Sequence, residues 1–307
     1  EMDRNLNEHP YLLTKNFVTE AINEIVGWEN IIPMIENPKN KPIKHEKRTI
    51  TKKHTDLFQK LWVKYSSDDY SWRIDYYYYR LKINDLADGF LKDKICIDFG
   101  CGHGNFAHAL LKAGAKKVFG IDIGKDNIKF AKKVASELGA SSDRLSFIEA
   151  SAYEVPYSSG KFDFAFQNVV FHHLADEDKA YSEVSRVYKT GGTFWIYTQG
   201  AGDIMRDLWD FCVENLDDVP EEFMEGVFNE LQLSVGKKYH LGDSMKADYR
   251  KTSWDGITNK LNNHGFSDFK RIIDGMDYDS DHDVIAKDSY GKEKYGEGDL
   301  SLLCVKK

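Results

Sequence analysis

The sequence predicts an α/β protein: a doubly wound, mostly parallel seven-stranded sheet with helices on both faces, an N-terminal helical lid, and a helical insertion after the fifth strand. Two observations carry this. From Lys94 onward, short apolar runs alternate with segments of helical period, the pattern of parallel strands joined by right-handed crossovers. The first run ends in a glycine-rich turn, Asp98-Phe-Gly100-Cys-Gly102-His-Gly104, that opens directly into a helix. With 307 residues, 41% of them hydrophobic and 30% charged, the chain has the balance of a globular protein and length for a packed core plus additions.

The elements follow in order. A helix is expected within Tyr11–Trp28, then a basic stretch between Pro38 and Lys53. Helical spacing resumes from His54 to Leu91, where Leu57, Leu61 and Tyr65, then Trp72, Tyr76 and Tyr79, recur. Strands are expected at Lys94–Phe99, Val118–Ile123, Leu145–Glu149, Phe162–Asn168 and Thr193–Thr198. The helices between them are Asn105–Ala113, Lys125–Leu138 and Asp176–Tyr188, and Gly191-Gly192 turns the chain into the fifth strand. Two amphipathic helices, Asp203–Leu216 and Glu221–Leu233, interrupt the alternation. The helix Trp254–His264, stopped by Gly265, and the strands Phe269–Ile273 and Leu300–Val305 complete the sheet. The polar segment Asp274–Asp299 reads as a long loop. The expected units are residues 1–90 (lid), 91–200 (core), 201–253 (cap) and 254–307 (completion of the core).

Charge and cysteines narrow the function. Lys+Arg 42 against Asp+Glu 50 leaves −8, which weighs against a general nucleic-acid binder. Four scattered cysteines, Cys96, Cys101, Cys212 and Cys304, form neither a disulfide framework nor a CxxC metal site. No apolar run reaches the length of a membrane helix and the first residues do not read as a signal peptide, so a soluble cytoplasmic protein with no membrane partner is expected. Asp277-Tyr-Asp279-Ser-Asp281-His-Asp283 begins like a calcium loop, but His282 stands where that loop needs glycine and no Glu closes it; no metal is expected.

The glycine turn carries the chemistry. Its glycines let a ligand approach the backbone, and the helix start offers N–H groups. The spacing is GxGxG, not GxGxxG, and an acid stands two residues before the first glycine. A buried carboxylate there repels a pyrophosphate, which disfavours NAD, and suits an ammonium. Asp122, closing the second strand, is placed to accept from a ribose diol. A ribose and a cationic amino-acid end describe S-adenosylmethionine.

On these residues the chain resembles the class I S-adenosylmethionine-dependent methyltransferases, over 94–200 well and 254–307 loosely. Ile95 to Gly104 resembles the first family motif, and Val118-Phe-Gly-Ile121-Asp122-Ile123 the second. Phe147-Ile-Glu-Ala150-Ser151-Ala152-Tyr153 resembles the adenine-edge segment, with Ser151 where the family often has Asp. Phe162 to Leu174 resembles the fourth-strand motif, and Lys189-Thr190-Gly191-Gly192 a Lys-Pro-Gly-Gly turn. The resemblance implies that Asp98, Gly100, Cys101, Gly102, Asp122, Ile123, Ser151, Ala152 and Gln167 hold S-adenosylmethionine, and its product S-adenosylhomocysteine. Helices before the first strand commonly close over the cofactor in this family, which adds Arg80 to that set.

The acceptor side is read from the aromatic and basic residues. On a helix Arg73, Tyr77 and Arg80 share one face and Trp72, Tyr76 and Tyr79 another, and core packing accounts for only one of the two. Trp72, Arg73, Tyr77 and Tyr197 are therefore substrate-binding candidates. His172 and His173 directly follow the fourth strand, where an imidazole can take a proton near neutrality, and are the candidate general bases. The expected function is methyl transfer to a small-molecule acceptor under an aromatic lid that includes Trp62, Trp72, Trp209, Tyr239 and Tyr249. A sugar, nucleotide-sugar or acidic metabolite fits such an enclosed site; O-, N- and S-methylation stay open, as does the oligomeric state. The rivals are an RNA methyltransferase using Lys41–Lys53 as phosphate contact and a catalytically silent cofactor-binding subunit.

Overall fold

The computed structural model describes Thr19 and residues 67–204, 207, 210, 221–233, 249–273 and 282–307. The expected helix at Tyr11–Trp28 apart from Thr19, the basic stretch, Leu57, Leu61, Trp62 and Tyr65, most of the expected helix Asp203–Leu216 with Trp209, Tyr239 and Asp277–Asp281 lie outside the described residues.

Seven strands form one sheet: β1 Ile95–Phe99, β2 Lys117–Asp122, β3 Leu145–Glu149, β4 Phe162–Asn168, β5 Tyr188–Gln199, β6 Phe266–Arg271 and β7 Asp299–Lys306. Their order is β3-β2-β1-β4-β5-β7-β6. Strands β1 to β5 are parallel, and β7 runs antiparallel between β5 and β6. The order reverses between β1 and β4, so the crevice beyond their carboxyl ends is where such a sheet receives ligands. Buried aromatic and aliphatic residues fill both faces. Phe106, Phe147, Phe164, Phe166 and Trp195 lie on one side, and Phe99, Phe162, Phe171, Tyr181 and Phe194 on the other.

Helices α1 Ser67–Ile83, α2 Asn105–Lys112, α3 Lys125–Glu137, α4 Glu177–Val187, α5 Glu221–Glu230 and α6 Trp254–Asn263 accompany the sheet. Helix α4 starts on Asp176, whose side chain accepts from the Lys179 amide, and α6 on Ser253, which accepts from the Gly256 amide. The expected loop 274–299 is partly helical: α7 His282–Lys287 and α8 Gly291–Tyr295 occupy most of its described part. His282 pairs with the neighbouring Asp283, and among the described residues no group of three metal-ligating side chains is gathered.

Helix α1 turns differently from the expectation. Ile74, Tyr77 and Tyr78 pack on the core and Leu81 is fully buried in it, while Trp72 is 54% and Tyr79 46% exposed. Arg80 is therefore not on an exposed face; it is only 4% exposed. It ends a stack that runs along the i, i+4, i+8 stripe. Trp72 lies flat on Tyr76 (5.5 Å, 9°), the Arg80 guanidinium lies 4.5 Å from the Tyr76 ring centre, and Tyr197 on β5 is 5.5 Å away on another side. Asp75 pairs outward with Lys112 at 2.6 Å.

The last turn of α1 is sewn to the exit of β6. Asn84 donates to the carbonyls of Arg80 (2.9 Å) and Ile273 (2.7 Å) and accepts from the Ile273 amide (3.1 Å). Asn84→Ala strands these backbone groups, and a loss of about 2 kcal/mol in urea unfolding is expected; an unchanged midpoint would show that the seam does not hold α1 down.

The stretch after β5 begins at a closed neck. The Gly200 amide donates to Gly298, the Glu297 amide to Ala201, the Ala201 amide to Thr252 and the Thr252 amide to Gln199. A Cβ on Gly200 would stand 2.4 Å from the Gly298 carbonyl, so this crossing is possible only with glycine there.

Candidate active site

The glycine loop leaves β1 beside β2 and β4. Gly100, Gly102 and Gly104 all have positive φ (66°, 50° and 85°), a conformation that L side chains rarely adopt. The Cys101 amide donates to the Ile121 carbonyl and the Gly102 amide to Asp122 Oδ2 (2.8 Å), pinning the loop to β2. Cys101 is buried, and burial, then the charges of Asp122 and Asp98, push its thiol well above the usual range, which disfavours the thiolate. A Cβ on Gly102 would meet nothing within 4 Å, so the loop backbone faces open space there.

Asp98 is 3% exposed. One of its oxygens accepts from the Ala107 amide and so caps the start of α2; the other, Oδ2, is buried with no hydrogen-bond partner. Burial, and then the charge of Asp122, hold its carboxyl well above the usual carboxylate range. Asp122 accepts from Gly124 (2.7 Å) and Asn127 (3.3 Å) as well as from Gly102, and burial raises it too in spite of these donors. Three accepted bonds leave a carboxylate capacity for one more donor. Ile123, next along, is 58% exposed at the strand end, an apolar surface with no protein cover. Ser151 and Ala152 follow β3 half-buried, and the Ser151 hydroxyl accepts from the Tyr153 amide at 3.1 Å.

These residues fit S-adenosylmethionine. An unpartnered buried carboxylate oxygen suits an ammonium, the open face at Gly102 leaves room for the chain that carries it, and Asp122 and Ile123 stand side by side for ribose and adenine. Gln167 does not join them. It is fully buried, its Nε2 donates to the Tyr197 carbonyl, and its Oε1 accepts from the Val170 and Phe171 amides, so its amide braces the end of β4.

Beyond β4 the chain is strained. Val169 has φ 48°, costly for a β-branched residue, and its amide donates to Tyr197. The turn that follows carries His172 and His173, whose Nε2 atoms are 2.9 Å apart, with the Tyr249 ring near both. Tyr249 donates to Asp210, and Lys251 pairs with Asp207 (2.8 Å) and Asp210 (2.6 Å). Tyr197 pairs with Asn168 across β4 and β5, and Asn168 Oδ1, like Asp98 Oδ2, is buried with no hydrogen-bond partner. Arg80 reaches this group through Tyr197. Tyr77 packs edge-on against Phe106 and Phe166, Arg73 lies near His103, and Trp72 is on the outer end of its stack. Nothing in the local sequence marks Asn168 or His103, since an orphaned amide and a solvated one share the same spacing.

An acid-led glycine loop at the switch point of a 3-2-1-4-5-7-6 sheet defines the Rossmann-like cofactor-binding class. The chain belongs to the methyltransferase domain family, whose model matches residues 91–262, and within it to the class I S-adenosylmethionine-dependent enzymes. S-adenosylmethionine is the family's cofactor. Among the relatives, a sterol 24-C-methyltransferase of Gibberella zeae is 25% identical over 56% of this chain and 49% of its own length. The ajmaline N-methyltransferase of Rauvolfia serpentina is 31% identical over 38% of each. The chain thus spans half or less of the length of these curated relatives. Among solved structures, the YcgJ protein of Bacillus subtilis superposes with a TM-score of 0.51 at 17% identity, covering 76% of this chain and 98% of that one. The cyclase SpnF does so with a TM-score of 0.50 at 18% identity, covering 76% and 80%. No described helix is long and apolar enough to cross a membrane.

Proposed function

We propose that this protein transfers a methyl group from S-adenosylmethionine to a small-molecule acceptor. The observation that supports it most directly is the buried, unpartnered oxygen of Asp98 beside three left-handed glycines. In this reading Asp98 holds the methionine ammonium, Asp122 the ribose, Ile123 and Ala152 the adenine faces, and the Ser151 hydroxyl donates to the adenine edge. When bound, the cofactor supplies a methyl on a sulfonium, which needs an in-line nucleophile and a water-poor site. Asn168 and the His172–His173 pair stand where the acceptor enters. Of two neutral imidazoles joined through Nε2, the ring that donates keeps an unprotonated Nδ1, and that atom would take the proton of an acceptor hydroxyl or ammonium as the ring passes its Nε2 proton to its neighbour. Arg80 and Tyr197 supply a cationic, aromatic wall for an acceptor with an acidic or ring-bearing part. In this reading α1 is a fixed wall beside the glycine loop, and Tyr249, at the return of the excursion after β5, borders the acceptor side.

The relatives named for sterol and ajmaline methylation support a small acceptor. The cyclase that shares the fold shows why the fold alone does not carry the assignment. Calorimetry with S-adenosylhomocysteine and NAD is the first test: binding of the former only is expected, and Asp122→Ala should weaken it by about 1–3 kcal/mol. Tighter NAD binding would overturn the cofactor reading. Labelled-methyl transfer to pools of small hydroxyl, amine and thiol compounds, set against transfer to RNA, tests the acceptor; label incorporated into RNA alone would reverse it.

A further inference from the structure

The crest of the glycine loop, His103, is held from a direction that the sheet does not provide. Tyr70, in the first turn of α1, donates its hydroxyl to the His103 carbonyl at 2.7 Å, a buried bond spanning 33 residues of chain. The loop answers: Asn105, the first residue of α2, donates its side-chain amide to the Tyr70 carbonyl at 3.4 Å. Tyr70 is 4% exposed, with its ring edge-on to His108 and tilted against Phe130. The His103 ring lies on Phe130 of α3 (4.1 Å, 31°), and burial, with Arg73 nearby, pushes this imidazole down to about 4, so it sits there neutral. The tyrosine hydroxyl is itself held far above its ordinary range by burial, and then by Cys101 and Asp98, so it stays a donor throughout the physiological pH range.

A buried tyrosine needs some acceptor, and any carbonyl would satisfy it. The choice here is specific. Gly102 and Gly104 flank the carbonyl it takes, so the backbone on each side rotates more freely than at any substituted residue. Each added anchor therefore removes conformations that the loop would otherwise have to give up on binding. The loop's other hydrogen bonds to the framework, Cys101 to Ile121 and Gly102 to Asp122, lie on the β2 side and leave the crest to Tyr70 and Phe130.

We propose that Tyr70 is a positioning residue for the cofactor site: it latches α1 to the glycine loop and presets the loop for the methionine end of its ligand. This rests on the reading that the glycine loop receives that end. It makes the first turn of α1 a fixed strut of the site.

The test compares the full chain with its Tyr70→Phe and Asn105→Ala variants, using S-adenosylhomocysteine and adenosine as probes. Adenosine lacks the methionine end and does not use the crest. Tyr70→Phe, which keeps the ring packing, is expected to raise the dissociation constant for S-adenosylhomocysteine about five- to tenfold and leave that for adenosine within about twofold. Asn105→Ala should act in the same direction and more weakly. The ratio between variant and parent should not change between about pH 6 and 9, since the latch does not titrate there. Equal weakening of both probes, or no change for S-adenosylhomocysteine, would overturn the proposal. Amide exchange of Cys101–Gly104 in the unliganded proteins decides it independently: faster exchange in Tyr70→Phe supports the latch and unchanged exchange refutes it. If the parent fails to bind S-adenosylhomocysteine, the cofactor reading falls, and the exchange result still decides the latch.

Discussion

Asp98→Asn is expected to weaken S-adenosylhomocysteine binding about 10- to 100-fold while making the unliganded protein more stable. The two effects share one cause. The asparagine oxygen still accepts from the Ala107 amide, so the cap on α2 survives, but the buried charge is gone. Because the folded protein holds the Asp98 carboxyl above its unfolded value, its contribution to stability is whole below the unfolded value, near pH 4. It is lost as pH rises through the folded value. The parent should therefore lose stability across that window and the variant should lose less, so the difference in melting temperature opens from near zero at acid pH. Saturating S-adenosylhomocysteine should reverse the order at neutral pH, since only the parent offers its ammonium a carboxylate. Matching melting curves at all pH values, with and without ligand, would remove Asp98 from the site.

The second large effect is expected at Gly120, in the middle of β2. Its φ is ordinary, so the argument is space alone. An added Cβ would lie 2.4 Å and 2.6 Å from two atoms of the Phe147 ring and 2.9 Å from Cys101 Sγ. The same ring would meet a Cβ on Gly104 at 2.5 Å. Phe147 is thus wedged beneath strand and loop together, in a core with no slack. Gly120→Ala should cost about 3 kcal/mol or more in urea unfolding. Adding Phe147→Leu should recover part of that loss, although Phe147→Leu alone destabilises. A simple sum of the two single effects would mean that the ring is not what excludes the methyl.

The sheet was legible because its strands are short apolar runs bounded by turns; β3 and β4 fall where the sequence puts them, residue for residue. Strand β6 starts three residues earlier than expected. Ser267 and Asp268 look like loop, and Asp268 has φ 56° at an irregularity in its pairing with β7. Asp98 and Asp122 stand out in the sequence as acids at strand ends beside a glycine-rich turn, and the fold sets both against that turn. Helix α1 was not legible in its facing. Aromatic rings occur all around it, so helical spacing alone does not tell the Tyr77 side from the Trp72 side or show that Arg80 is buried. Gln167 stands in a motif that implies a cofactor contact; only the fold shows its amide bonded to three backbone groups. Contacts such as Tyr70 to His103 join residues with no shared period and are invisible until the chain is folded.

The neck formed by Gln199–Ala201, Thr252 and Glu297–Gly298 bears on how such a protein can diversify. Because the backbone closes on itself where the excursion after β5 departs and returns, that excursion is spliced in much as a bead is tied to a string. Its length and sequence can drift while the knot keeps the tension off the sheet. A chimera that exchanges the stretch between Gly202 and Tyr249 for an unrelated one should keep the sheet and the glycine loop folded, whereas a change at Gly200 would loosen every such graft at once.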